Sequence, residues 1–269
     1  MQPVSEPTVE AWAHHYVITT RLSDKTRPAQ PPAQFEARAE SRDVRPSARP
    51  AELELTERAP RSPRSGALRE PRARARVLHA FWHHELQAAE LMCWALLRFP
   101  SAEPSFRRGL VSVWRDEVRH MRMYEAEIER LGFSLGAFPV RDWFWERVPS
   151  CDTPLRFVAL MGMGLEGANL EHARRFAALF RAAGDDQAAR VQEQIGLEEV
   201  RHVRFATRWF EAWTGAVDFT AWARELPKPL SPLLMRGKTV DRELRQRAGM
   251  SEQFISELER YRAEPFGRR

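Results

Sequence analysis

The amino-acid sequence predicts an all-α fold built around a bundle of four helices, and two observations carry this prediction. Apolar residues recur at helical spacing through four long stretches, which we place at about 73–98, 104–131, 154–183 and 185–213. Two of these stretches carry near-copies of one five-residue pattern, Asp116 to His120 and Glu198 to His202, which begin 82 positions apart. The repetition indicates two related helical hairpins in tandem.

Each hairpin has a short connection with suitable boundary residues. The first helix ends at Phe99-Pro100, and Pro104 opens the second, because proline is favoured at the first helical position. The third helix ends near Gly184, and the aspartates that follow are suited to cap the start of the fourth. Short connections predict that the two helices of each hairpin are antiparallel neighbours.

The connection between the second and third helices is much longer. It runs from Leu131 to Thr153 and contains Trp143, Phe144 and Trp145. The second helix would be about 40 Å long, and some twenty extended residues could retrace it. One long crossover between two short-linked hairpins is the up-down-down-up connectivity of ferritin-like bundles. The aromatic residues predict that this crossover is packed.

The two copies of the pattern also predict a metal site. Each places a glutamate three residues before a histidine, on one face of a helix, and each follows a further glutamate by 32 or 33 residues. In ferritin-like bundles, such residues project inward and bind two metal ions. Four carboxylates and two neutral imidazoles balance two divalent iron ions, two manganese ions or one of each. The predicted ligands are Glu85, Glu117, His120, Glu166, Glu199 and His202.

Several neighbours of these ligands are candidates for supporting roles. Asp116 and Glu198 precede the ligand glutamates, and we expect them to accept the second ring proton of a ligating histidine. Arg119 and Arg201 could pair with these two carboxylates. Tyr124 lies one turn beyond the first histidine, where a phenol could serve electron transfer or donate a hydrogen bond, and we favour the hydrogen bond.

Other polar residues near the ligands have simpler interpretations. Glu90 and Glu171 each lie five positions after a lone ligand glutamate, which turns them off the ligand face, so we interpret them as helix-edge or interface carboxylates. At most one of His83 and His84 can approach the site, because adjacent helical residues point apart. The remaining candidates, His79, His172 and Cys93, are interpreted as packing or surface residues.

Three glycines crowd the third helix around Glu166. Gly162, Gly164 and Gly167 each weaken a helix by about 1 kcal/mol relative to alanine. Close helix contact, a local bulge, and space beside the metals for oxygen or a substrate would each explain them. The sequence does not separate these three explanations.

Composition divides the chain into three parts. We predict an extended arm over 1–72, the bundle over 73–213 and an extension with a final helix over 214–269. The arm is rich in proline and arginine, and within it Trp12 to Leu22 reads as a strand. In the C-terminal part, Leu226 to Pro232 reads as extended, and Ser251 is suited to cap a last helix.

Charge and cysteine content limit the classes of function. Residues 1–76 contain 14 basic and 10 acidic side chains, so +4 of the net charge of +5 lies there, and the remainder is nearly neutral. Nucleic acid is therefore not a favoured partner of the bundle. Two cysteines 58 positions apart provide no disulfide framework. The absence of a long apolar run or signal segment predicts a cytoplasmic protein with no membrane partner.

From about Arg49 to the final helix, the chain resembles an uncharacterised ferritin-like family related to diiron tRNA hydroxylase-like and rubrerythrin-like proteins. The resemblance is carried by His84-Glu85-Leu86-Gln87-Ala88, Asp116 to His120, Phe138 to Trp145, Glu166 to Leu170, Glu199 to Val203 and Arg247 to Met250. It implies a ferritin-like fold and a dinuclear metal site at the six ligands above. It does not identify a substrate.

The ligand set and the resemblance together favour an enzyme that activates dioxygen or peroxide at two iron ions to oxidise or hydroxylate an organic substrate. Such an enzyme needs an external electron donor. Two alternatives remain open: a ferroxidase, peroxide-scavenging or metal-handling protein, and a non-catalytic binding protein with a relic site. A homodimer is compatible with each of them.

Overall fold

The computed structural model describes residues 8–57 and 65–262, and this part of the chain is helical. Within it there is no strand, and β-type pairing is limited to an isolated bridge between Leu55 and Val140. The all-α prediction is confirmed. The chain divides into two compact units, an N-terminal unit ending at Pro149 and a C-terminal unit beginning at Ser150. This boundary falls inside the segment predicted to be the crossover.

A long helical hairpin forms the centre of the N-terminal unit. Helix α3 spans Pro71–Arg98 and helix α4 spans Pro104–Arg130, within two residues of the predicted bounds. Both begin with proline at the first position. The two helices pack against each other and bury Trp82, Trp94 and Trp114. Each large apolar side chain that is fully buried stabilises the fold by about 1.5–3 kcal/mol.

The segment predicted as a strand, Trp12 to Leu22, is instead largely helical. Helix α1 spans Val9–Ile18, its start capped by Thr8, whose hydroxyl accepts from the backbone N–H of Ala11. The buried residues of α1 recur at i, i+3, i+4, i+7 and i+8, which is one helical face, and this face packs on α3. The strand prediction was wrong because a short β-branched run outweighed that longer period. A second helix, α2, spans Leu22–Thr26.

The segment after α4 is packed, as its aromatic content predicted. Phe138 and Trp145 are buried, and the backbone of Val140 pairs with that of Glu54 and Thr56. Gly136 has a φ of 88°, and a Cβ there would lie 2.2 Å from the carbonyl oxygen of Glu52. Only glycine allows the two backbone segments to approach this closely.

In the C-terminal unit, the predicted third helix is interrupted. Helix α5 spans Pro154–Phe157, a π-helix spans Val158–Glu166, and helix α6 spans Gly167–Ala182. The fourth helix, α7, spans Asp186–Thr214, and the side chain of Asp185 caps it by accepting from the N–H of Ala188. The predicted N-terminal cap of this helix is confirmed. Helices α6 and α7 pack along each other.

The C-terminal extension contains more helix than predicted. Helices α8 (Phe219–Glu225), α9 (Arg242–Arg247) and α10 (Glu252–Arg260) follow α7, with a 3₁₀ turn over Pro232–Met235. The predicted final helix is α10, and Ser251 caps it by accepting from the N–H of Phe254. Among the described helices, none is long and apolar enough to cross a membrane.

Candidate metal centre

The N-terminal unit brings three predicted ligands together in its core. Glu117 and His120 lie one turn apart on α4, and Glu85 faces them from α3. The Nδ1 atom of His120 is 3.5 Å from Oε2 of Glu85 and 3.8 Å from Oε2 of Glu117. All three side chains are buried, and each offers a ligand atom within 4.8 Å of the other two. This buried Glu/His cluster could hold a metal ion.

The local sequence explains why these polar side chains face inward. On α4 the buried residues Val113, Glu117, His120 and Tyr124 follow one another at spacings of three or four. The ligands therefore occupy positions at which an amphipathic helix normally places apolar residues. An ionised carboxylate in such a position is costly unless a cation or hydrogen bonds compensate it. A bound cation would provide such compensation.

The C-terminal unit contains the matching set. Glu199 and His202 lie one turn apart on α7, and Glu166 is the last residue of the π-helix. The Nδ1 atom of His202 is 3.2 Å from Oε2 of Glu199, and His202 and Glu166 offer ligand atoms within 4.8 Å of each other. These three side chains are also buried. We call the sets in the two units the N-terminal and C-terminal half-sites.

The glycines around Glu166 lie in or directly after the π-helix. A Cβ on Gly162 would lie 2.3 Å from the Cβ of Ala206 on α7, so the π-helix and α7 are in close contact there. A π-helix is also a local bulge, and such bulges are frequent at functional sites. Close helix contact and a local bulge, which are two of the three explanations that the sequence offered for these glycines, are therefore both present. The Cβ position of Gly162 is also 3.7 Å from Oε2 of Glu166, so a side chain at 162 would touch a predicted ligand as well.

The residues predicted to support the ligands have the following surroundings. Arg119 donates through Nη2 to Oδ1 of Asp116 at 2.8 Å, and Gln194 donates to Oε1 of Glu198 at 3.3 Å. Arg201 is exposed on α7. Tyr124 is buried, with its ring 5.8 Å from that of Phe81. The expected contact of Asp116 and Glu198 with the ligating histidines stays a prediction.

The two histidines beside Glu85 turn to other partners. His83 lies with Nε2 3.3 Å from Oδ1 of Asp142, and its Nδ1 is 3.1 Å from the amide nitrogen of Gln87. The amide oxygen of Gln87 accepts from the N–H of Phe144, so Nδ1 of His83 is the acceptor and its Nε2 carries the proton. These contacts attach the crossover segment to α3. The ring of His84 stacks on Phe144 at 5.1 Å.

Glu90 is an interface carboxylate, which was one of the two interpretations from the sequence, and it is not at a helix edge. It is fully buried and accepts from Lys25 at 2.7 Å, from Nη1 of Arg49 at 2.7 and 2.6 Å, and from Nε1 of Trp145 at 2.7 Å. Burial alone would raise the pKa of Glu90, but the charges of Arg49 and Lys25 outweigh it and lower that pKa. Glu90 therefore anchors the N-terminal segment and the crossover to α3.

Glu171, at the equivalent position of the second hairpin, is likewise a buried interface carboxylate. Arg245 donates to its two oxygens at 2.7 and 2.9 Å, and the backbone N–H groups of Gly237 and Asp241 donate at 2.9 and 3.0 Å. Sequence reasoning missed both arginine partners. The signal that could have found them was the glutamate repeated five positions after each lone ligand, since a repeated offset predicts a shared role.

Both cysteines are free and buried. Burial raises the pKa of the Cys93 thiol well above its usual value, and burial also raises that of Cys151, to about 12. A thiol of this kind is a poor nucleophile and a poor metal ligand at neutral pH. The interpretation of Cys93 as a small packing residue agrees with these properties, and the candidate ligands are carboxylates and imidazoles.

Fold and site thus define an all-helical protein with a buried cluster of glutamate and histidine side chains that could bind a metal ion. Residues 7–256 match a family described as "Protein of unknown function (DUF455)", and the chain belongs to that family. No match was found among curated proteins or among solved structures.

Proposed function

We propose that α3, α4, the π-helix with α6, and α7 form a ferritin-like four-helix bundle, in which the two half-sites make one dinuclear metal centre. The support is the internal duplication. Each unit contributes one lone glutamate and one Glu-x-x-His pair, all six of them buried. A single long segment connects two short-linked hairpins, as in ferritin-like connectivity.

The donor set fits two iron ions best. Carboxylate and imidazole together suit iron and manganese, whereas thiolate-rich sites select zinc or iron–sulfur clusters. The four carboxylates carry a charge of −4 when ionised, which two divalent cations balance. Glu85, Glu117 and His120 would bind one side of the centre, and Glu166, Glu199 and His202 the other. Manganese, alone or with iron, is the alternative occupant.

The function that this site supports best is that of a diiron oxidoreductase, which activates dioxygen or peroxide to oxidise or hydroxylate an organic substrate. When bound, the metal pair would supply two electrons for the reduction of oxygen. The chain's own residues would hold the ions in a water-poor core and keep space open beside them. The observation that carries the proposal is the matched pair of buried half-sites.

The proposal is tested by loading the metal-free protein with ferrous iron under anaerobic conditions and then counting bound iron and consumed oxygen. We expect about two irons per chain and rapid oxygen uptake. Partial reduction should give the electron paramagnetic resonance signal of a coupled mixed-valence pair. Binding of less than about 1.5 irons per chain, or oxygen uptake no faster than that of free ferrous iron, would overturn it.

Variants in the two half-sites distinguish one dinuclear centre from two independent sites. Glu117→Ala and Glu199→Ala should each abolish the coupled signal and oxygen uptake. Independent sites would instead keep half of the iron and show no coupling in the unmodified protein. Glu129→Ala is the matched control for α4 and Glu211→Ala for α7, because both glutamates are exposed. Turnover of ferrous iron or peroxide alone, with no organic substrate consumed in metabolite comparisons, would favour a ferroxidase or peroxide scavenger instead.

A further inference from the structure

The outer face of α7 carries a stripe of exposed residues directly behind the C-terminal half-site. Leu197, Arg201, Arg204 and Arg208 lie at i, i+4, i+7 and i+11, which places them on one side of the helix. Leu197 is 49% exposed and adds an apolar surface to the stripe. We call Leu197 and these three arginines the arginine stripe.

A fourth arginine joins the stripe from the C-terminal extension. Arg247, the last residue of α9, lines an open cavity of about 420 Å³ together with Leu197, Arg201 and Arg204. Gly249 follows α9 with a φ of 90°, a conformation that favours glycine, and a Cβ at this position would lie 3.5 Å from the methyl carbon of Thr207 on α7. Two separate elements therefore direct guanidinium groups at one opening.

Two arginines of this surface carry uncompensated charge. Among the residues that the structure describes, Arg204 and Arg208 make no hydrogen bond or ion pair. Arg247 has only an exposed contact with Glu243 at 4.0 Å, and Glu198, the acidic residue of the cavity lining, accepts from Gln194. In the same unit the exposed Arg181 is paired with Glu193 at 2.7 Å, whereas the exposed Arg224 on α8 makes no hydrogen bond or ion pair among the described residues. An exposed leucine among such arginines has the composition of a protein interface, in which arginine and apolar residues are enriched.

The stripe lies close to the candidate ligands along the chain. Residues advance by about 100° each around a helix, so Arg201 and Arg204 project on the side opposite Glu199 and His202. A partner on the stripe is thus separated from two predicted ligands by one helix. An oxygen-activating diiron centre requires a source of electrons, and a donor bound on this surface would be separated from Glu199 and His202 by the width of α7.

We propose, on the basis of the proposed function, that the arginine stripe and Arg247 dock an acidic protein that carries a one-electron redox group. Each transfer would oxidise the partner's group by one electron and reduce one ferric ion to ferrous, so two transfers reduce the pair. Docking itself forms or breaks no covalent bond. Complementary charge would accelerate the encounter and make it sensitive to salt. A protein is favoured over nucleic acid because Leu197 gives an apolar contact and residues 77–269 are almost neutral, with 28 basic against 27 acidic side chains.

The test uses the full chain and a chemically reduced, acidic [2Fe–2S] ferredoxin as the probe. Stopped-flow absorbance measures ferredoxin oxidation by the ferric protein at several salt concentrations. We expect the double variant Arg204→Glu/Arg208→Glu to lower the second-order rate constant by about tenfold or more at low salt. Arg224→Glu, an exposed arginine on α8, is the control and should have little effect.

The outcomes separate docking from the proposed function. Reduction by dithionite should be equally fast in both variants, because a small reductant needs no docking surface. If the protein holds no iron, the proposed function fails, and calorimetric binding of ferredoxin to the metal-free chain still tests the stripe. Equal rates or affinities for the unmodified protein and the double variant would overturn the docking proposal. Tighter binding of RNA than of ferredoxin, lost in the same variant, would overturn it in favour of a nucleic-acid surface.

Discussion

Arg245 donates through Nε to one carboxylate oxygen of Glu171 at 2.7 Å and through Nη2 to the other at 2.9 Å, in a pair that is almost wholly buried. The two residues are 74 positions apart, so the pair fixes the C-terminal extension on α6. Arg49 and Glu90 make the equivalent pair 41 positions apart in the N-terminal unit. Each hairpin thus uses its second glutamate to hold a flanking segment, while the first glutamate is a candidate metal ligand.

Removal of the Arg245 side chain should therefore destabilise the chain strongly. Arg245→Met leaves Glu171 buried without its cation and also removes donors to the carbonyl oxygens of Gly167 and Met235. We expect a loss of about 3–5 kcal/mol in the free energy of unfolding, measured by urea denaturation. Arg174→Met, which removes an ion pair between an exposed arginine and Asp241, should cost much less than Arg245→Met, because the Arg174 side chain is 56% exposed.

A double variant tests whether the loss comes from the orphaned charge. Replacement of both partners, in Glu171→Met/Arg245→Met, removes the buried carboxylate together with its cation. It should recover part of the stability lost in Arg245→Met alone. The single variant Glu171→Met completes the cycle. If the loss in the free energy of unfolding of the double variant equals the sum of the two single losses, the two side chains do not interact energetically.

These pairs show what sequence reasoning could reach and what it could not. The helices and the candidate ligand positions follow from spacings of three and four residues, which a sequence displays directly. The partner of Glu171 is a long-range choice among many arginines, and local periodicity does not distinguish Arg245 from its neighbours. Helix α1 was missed because its short apolar face contains β-branched residues. The π-helix leaves no periodic signal beyond the excess of glycine around Glu166.

The close contact at Gly162 predicts a position-specific response to added methyl groups. In Gly162→Ala the new Cβ would lie 2.3 Å from the Cβ of Ala206, which requires the π-helix and α7 to separate. We expect a destabilisation of about 1–3 kcal/mol in thermal or urea unfolding. Ala206→Gly in the same chain should restore part of it, because it removes the methyl group that causes the clash.

Gly167→Ala is the matched control for this prediction. Its Cβ would meet Nη1 of Arg245 at 3.7 Å and the carbonyl oxygen of Gly162 at 3.8 Å, which are ordinary contacts. Because alanine is favoured over glycine in a helix, this change should be neutral or stabilising by up to about 1 kcal/mol. Equal losses from Gly162→Ala and Gly167→Ala would show that helix contact at Gly162 is not the cause.

Metal binding should itself stabilise the protein if the half-sites are functional. A ligand that binds only the folded chain adds about 2.7 kcal/mol to the free energy of unfolding at one hundred times its dissociation constant. We expect anaerobic ferrous or manganous ions to raise the melting temperature, and a chelator to reverse the effect. His120→Ala and His202→Ala should each lower the rise. A metal-independent melting temperature in the unmodified chain would argue for a relic site.

His79 should make stability depend on pH in a defined window. Its Nε2 accepts a 2.8 Å hydrogen bond from the N–H of Gly136, which requires a neutral ring, and burial, aided by His83, lowers its pKa to about 4. In the unfolded chain the pKa is about 6.5, so acid protonates the unfolded state first and favours unfolding. The contribution of His79 to the free energy of unfolding is fully present above pH 6.5. It decreases as the pH drops towards 4, and at pH 5 about 2 kcal/mol of it has been lost.

The glutamine variant isolates this effect from the protonation of carboxylates. In His79→Gln the side-chain oxygen can still accept from Gly136, but no group titrates there, so the free energy of unfolding should decline less steeply between pH 6.5 and pH 4.5. Urea denaturation of the metal-free protein at pH 7, 5.5 and 4.5 measures both slopes. Asp142 does not interfere: burial opposes its ionisation, but hydrogen bonds from His83 and Arg49 lower its pKa to about 2, below this window. If the free energy of unfolding declines equally with falling pH in the two proteins, His79 is protonated in the folded state, and its hydrogen bond with the N–H of Gly136 is replaced.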